Sequence, residues 1–71
     1  MDEVRQIERA LMAYWTGNPE AADSLETIAR FWLPYAEPDK VAMALDQMVR
    51  RGTVYKVKAP SNHHVIYKLV R

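Results

Sequence analysis

The apolar residues change their period at Gly52, and that change limits what this chain can fold into. Before Gly52 they recur at helical spacing; after it they fall in β-branched and aromatic runs. Val4, Ile7, Leu11 and then Tyr14 or Trp15 mark a first helical face. Asp2 and Glu3 put negative charge at its start, where it complements the helix dipole, and Gly17-Asn18-Pro19 stops it. The pattern predicts a helix over about residues 2–16. Asp23-Ser24-Leu25-Glu26 has capping-box spacing, with Asp23 as the cap. Leu25, Ile28, Ala29 and Trp32 then share a face, and Pro34 pushes Leu33 out of helical geometry, so a second helix is expected over about residues 24–32. Residues 33–37 connect it to a third. Pro38 suits a first helical turn, and Val41, Ala42, Leu45, Met48 and Val49 form the stripe. Arg50 and Arg51 favour a last turn and Gly52 a left-handed closure, giving a helix over about residues 38–51.

Two strands are expected beyond it, Thr53-Val-Tyr-Lys-Val-Lys58 and Val65-Ile-Tyr-Lys-Leu-Val70, joined through the turn chemistry of Ala59-Pro-Ser-Asn62. The expected fold is α+β: three helices followed by a two-stranded antiparallel hairpin, one domain across residues 1–71. A chain this short buries only about 60% of its unfolded surface, which leaves a modest core and little room for an enzyme cleft. Apolar residues make up 49% of it, which excludes a disordered composition. There is no cysteine, hence no disulfide or thiolate metal site. No apolar run approaches the ~20 residues of a membrane span, and Met1-Asp2-Glu3 lacks the basic-then-apolar order of a signal peptide. A cytoplasmic protein is expected, without membrane association.

Catalytic motifs are missing from the sequence. Two glycines leave no Gly-rich phosphate loop, and no nucleophile elbow or pair of metal ligands is present. His63 and His64 are adjacent, so on a strand they point to opposite faces and chelate poorly; a polar tip to the hairpin suits them better. The expectation is no enzyme, no cofactor, no metal and no small-molecule substrate.

Charge is the feature that points outward. Residues 1–49 hold nine acids and four bases, a net of −5; residues 50–71 hold Arg50, Arg51, Lys56, Lys58, Lys68 and Arg71 with no acid, a net of +6. Such asymmetry has two readings. One is a surface for a polyanion. The other is solvated lysine guarding an edge hairpin against aggregation. Lys56 and Lys58 share one face of their strand, and Lys68 is expected to join them across the hairpin, next to Arg50 and Arg51.

From Leu25 to Val70 the order of elements, with Leu25, Ile28-Ala29, Val41, Ala44-Leu45, Met48-Val49, Gly52, Val54 and the closing Tyr67-Lys68-Leu69, resembles winged helix-turn-helix domains. That resemblance implies DNA binding, with the third helix in the major groove, the hairpin as a wing on phosphates or the minor groove, and a role as a small transcriptional regulator. The implied nucleic-acid residues are Lys40 and Gln47 on the third helix with Arg50, Arg51, Lys56, Lys58 and Lys68. The stretch between the second and third helices is longer and more proline-rich than the pattern. Glu37, Asp39 and Asp46 also oppose phosphate on the third helix. A winged helix used for protein contact, or as a homodimer, is therefore the alternative. Its interface would use Tyr14, Trp15, Asp39 and Met43, since aromatic and Met side chains suit partner surfaces.

Overall fold

The computed structural model describes residues 3–58 and 65–70. The expected turn Ala59–Asn62, the tip residues His63 and His64, and the charges of Asp2 and Arg71 lie outside the described residues. The chain folds as α1 (Glu3–Gly17), β1 (Ala22–Ser24), α2 (Leu25–Thr27) continuing as a π-helical turn (Ile28–Trp32), α3 (Pro38–Arg50), β2 (Val54–Lys58) and β3 (Val65–Leu69). The α+β class holds, but the sheet has three antiparallel strands in the order β1-β3-β2 rather than two.

The third strand corrects the reading of residues 22–24. Ala22, Asp23 and Ser24 pair with Lys68, Tyr67 and Ile66 of β3. Asp23 is therefore a strand residue, and its Oδ2 accepts a hydrogen bond from the indole Nε1 of Trp32 at 3.0 Å. The cap of α2 lies one residue later: the Ser24 hydroxyl accepts from the Thr27 amide at 3.2 Å, which satisfies an otherwise orphaned helical donor. After one α turn the helix widens. The Leu33 amide reaches back five residues to the Ile28 carbonyl at 3.1 Å, and Leu33 then leaves helical geometry (φ −135°, ψ 64°) ahead of Pro34.

One face of each helix meets the core. Ile7, Leu11 and Trp15 of α1 pack with Val41, Ala44, Leu45 and Met48 of α3, Ile28 and Ala29 of the π turn, Leu33, and Val54 of β2. Trp15 is fully buried and its Nε1 donates to the Ala21 carbonyl at 2.9 Å, so the largest core side chain carries no unmet polar atom. Gly52 closes α3. At φ +78° it takes the left-handed turn, and the Thr53 and Gly52 amides bond back to the Met48 and Val49 carbonyls, both at 3.0 Å, in the pattern of a Schellman cap. That cap turns the chain straight from α3 into β2, so the hairpin leaves the core beside the end of α3.

Candidate nucleic-acid interface

Strand register decides which cations share a surface. Val54, Lys56 and Lys58 of β2 stand opposite Leu69, Tyr67 and Val65 of β3. Directly opposed residues project to one side of a sheet. That side is buried at Val54, where Leu69 and Tyr67 also pack on the core, and it is open at Lys56 and Lys58, where the hairpin runs past the core's edge. Lys68 stands opposite Tyr55 and beside Ala22 of β1, on the other side of the sheet with Val57 and Ile66. The expected strip of three lysines across the hairpin is thus corrected to two on one face and one on the opposite face.

The helical cations are placed differently again. Lys40 is half-buried, with its Nζ 2.5 Å from a Glu3 carboxylate oxygen and 4.0 Å from Glu37, so it ties the start of α3 to the start of α1. Arg51 donates from Nη1 to Glu8 Oε1 at 2.5 Å, and the Glu8 side chain is only 10% exposed. Arg50 stays at the surface and pairs with Asp46 one turn back at 3.2 Å. Among the described residues no ion pair involves Lys56, Lys58 or Lys68.

The outward stripe of α3 is open to solvent: Asp39, Met43, Asp46, Gln47 and Arg50 are all exposed. Its ionised groups are two acids and one arginine already matched to one of them. Of the expected partner-interface residues, Trp15 is removed by its burial. Tyr14 sits at the core's edge, 39% exposed, with its ring stacked on Trp32 at 4.0 Å between centroids. Core filling is the ordinary expectation for Phe31 and Tyr35 as aromatics, yet both are open to solvent, as is Tyr55 on β2. Phe31 and Tyr35 are 71% and 78% exposed, on the π turn and on the connector to α3. Phe31 was legible in part: its neighbour Trp32 turns toward Tyr14 and Trp15, and adjacent helical residues do not share a direction.

Among the described residues no three His, Cys, Asp or Glu side chains gather to hold a metal ion, and no helix is long and apolar enough to cross a membrane. No family model, characterised protein or solved structure matches this chain.

Proposed function

We propose that the chain is a winged helix domain that binds nucleic acid, duplex DNA foremost, with the β2–β3 hairpin as the wing. The observation that carries this reading is the placement of Lys56 and Lys58. They lie on one open face of a hairpin that leaves the end of α3, with no carboxylate pairing them among the described residues. Cations in that state can neutralise phosphate without first giving up a partner. Met43 and Gln47 on the outward stripe of α3 would face the groove, and Arg50 would flank them. Asp39 and Asp46 on the same stripe make α3 a poor anchor, so affinity rests on the wing and sequence discrimination is shallow. A small transcriptional regulator is the role that fits such a module.

The test is fluorescence anisotropy with an unspecific labelled duplex, for the native chain, the Lys56→Glu plus Lys58→Glu double variant, and Lys68→Glu as the opposite-face control. The reading expects the double variant to lose about tenfold or more in affinity and Lys68→Glu to lose clearly less. Equal losses in the two variants, or no duplex binding by the native chain at low salt, would refute it.

A second reading has its own support. Phe31 on the π turn, Tyr35 on the connector and Met43 on α3 each expose apolar surface, and Glu37, Asp39 and Asp46 are exposed acids on the connector and α3. Exposed aromatic and Met side chains amid acids suit a protein partner with a basic surface, a second copy included. Sedimentation velocity across a concentration series separates the homodimer from the monomer.

A further inference from the structure

A second cationic site lies away from the hairpin lysines. An open cleft of about 480 Å³ runs between α1 and the end of α3, and Arg5, Arg9 and Arg51 line it. Met12 supplies apolar surface over the buried Met48, and Glu8 contributes the one carboxylate of the lining. Arg51 is matched to Glu8, whereas no ion pair among the described residues involves Arg5 or Arg9. Arg5 and Arg9 sit one turn apart on α1, where like charges repel.

Three guanidinium groups against one carboxylate leave a cleft with two surplus positive charges. Each guanidinium carries five N–H donors in a planar fork that matches the oxygens of phosphate. The bond to Glu8 uses one donor of Arg51 and holds that side chain in place, so the remaining donors are positioned before any ligand arrives. We propose that this cleft binds a phosphate dianion, held by Arg5, Arg9 and Arg51, on a ligand whose apolar part rests on Met12. The dianion cancels the surplus charge and relieves the Arg5–Arg9 repulsion. The two charges have two possible sources: the monoester of a free phosphorylated molecule, or two neighbouring phosphodiesters of a nucleic-acid backbone, each a monoanion; the guanidinium donors meet phosphate oxygens in both. The first source departs from the expectation that this chain takes no small ligand.

The experiment uses the ¹⁵N-labelled full chain and follows the arginine Nε–Hε signals. Inorganic phosphate is titrated at constant ionic strength, with chloride as the matched control. The site requires saturable shifts at Arg5, Arg9 and Arg51, a rise in Tm with phosphate, and little movement at Lys56 and Lys58. In the Arg5→Gln plus Arg9→Gln variant, whose changes lie at two exposed positions, the chain stays folded and phosphate affinity falls about tenfold or more. Shifts that grow linearly, that chloride reproduces, or that persist in the variant mean an adventitious ion only and overturn the site. A short duplex added to the phosphate-saturated chain then separates the sources. Displacement of phosphate from the three arginines assigns the site to nucleic-acid backbone; duplex binding that leaves those signals unmoved assigns it to a free phosphorylated molecule. Failure of the hairpin reading is seen separately, in the Lys56 and Lys58 variants.

Discussion

Glu8 and Arg51 form a pair whose two members are unequally buried, and that inequality predicts an asymmetric response to mutation. The Glu8 side chain is 10% exposed, whereas that of Arg51 is 54% exposed. Replacing Arg51 by Met keeps the alkyl stem but takes the bonded donor from a carboxylate that is only 10% exposed, leaving Arg5 and Arg9 of the same cleft as its remaining cations. Loss of a charge-assisted hydrogen bond at such a site costs about 2 kcal/mol, toward the upper part of the usual range because the orphaned group is charged. Replacing Glu8 by Gln keeps the volume and an acceptor oxygen, and the released guanidinium is resolvated, so the cost is below about 1 kcal/mol. A chain of this size is stabilised by only about 4–11 kcal/mol in total, so the first substitution removes a large share. With about 4–8 °C of Tm per kcal/mol, Arg51→Met lowers the melting point by roughly 8–16 °C. The double variant removes the stranded charge and is more stable than Arg51→Met alone. Urea and thermal unfolding followed by circular dichroism measure all three. Additive single-variant costs, or a larger loss for Glu8→Gln than for Arg51→Met, would refute the argument that burial of Glu8 sets the energetics.

Three further outcomes follow from local geometry. Gly52→Ala destabilises by about 1–2 kcal/mol although an added Cβ meets nothing within 4 Å, because the cost is the left-handed backbone itself; Gly52→Asn, read in the same urea series, costs less. Ser24→Ala costs about 1 kcal/mol and Ser24→Gly only a few tenths, whereas a cap at Asp23 would leave both variants near the native midpoint. Trp15→Phe costs about 1–3 kcal/mol by urea midpoint, from the lost bond to the Ala21 carbonyl and the space left in the core, and a smaller effect would contradict full burial of the indole.

The helices were legible because each carries its own signal within a dozen residues. Pro38, the Val41–Leu45–Met48 stripe and Gly52 fix α3 by local chemistry alone, and the observed bounds differ from the expected ones by one residue. What stayed hidden depends on pairing between distant residues. Ala22-Asp23-Ser24 is too short to show a period, and Asp23 mimics a cap, so only its partners on β3 make it a strand. The position of Lys68 was hidden for a related reason. Even-numbered residues of β2 face the same side as odd-numbered residues of β3, a parity set by register and not by either strand's pattern. Had the register slipped by one residue, Lys68 would have joined Lys56 and Lys58. Lys40 and Arg51 were legible as cations, but their carboxylates lie on α1, more than thirty residues away in the chain.

This redistribution of charge sets a number for the nucleic-acid reading. Six cations were candidates for phosphate contact: Lys40, Arg50, Arg51, Lys56, Lys58 and Lys68. Full engagement of all six implies a slope of log Kobs against log salt near about −5. Pairing of Lys40 and Arg51 with α1, of Arg50 with Asp46, and the opposite-face position of Lys68 leave Lys56 and Lys58 on the wing, for a slope near about −2. Arg50 is 72% exposed and its pair with Asp46 is a surface one, which phosphate can displace at little cost, so the slope reaches at most about −3. Between 50 and 200 mM salt, two contacts weaken binding by about tenfold and six by more than about a thousandfold, well apart for anisotropy titrations. A slope steeper than about −4 needs cations beyond the wing and Arg50, and it has one of two causes. Backbone phosphates in the α1–α3 cleft would add Arg5, Arg9 and Arg51, and the Arg5 and Arg9 signals would then shift with the duplex while Arg51 keeps Glu8. If Arg5 and Arg9 stay unmoved, Lys40 and Arg51 have left Glu3 and Glu8, and the division of cations into tethered and available ones is wrong.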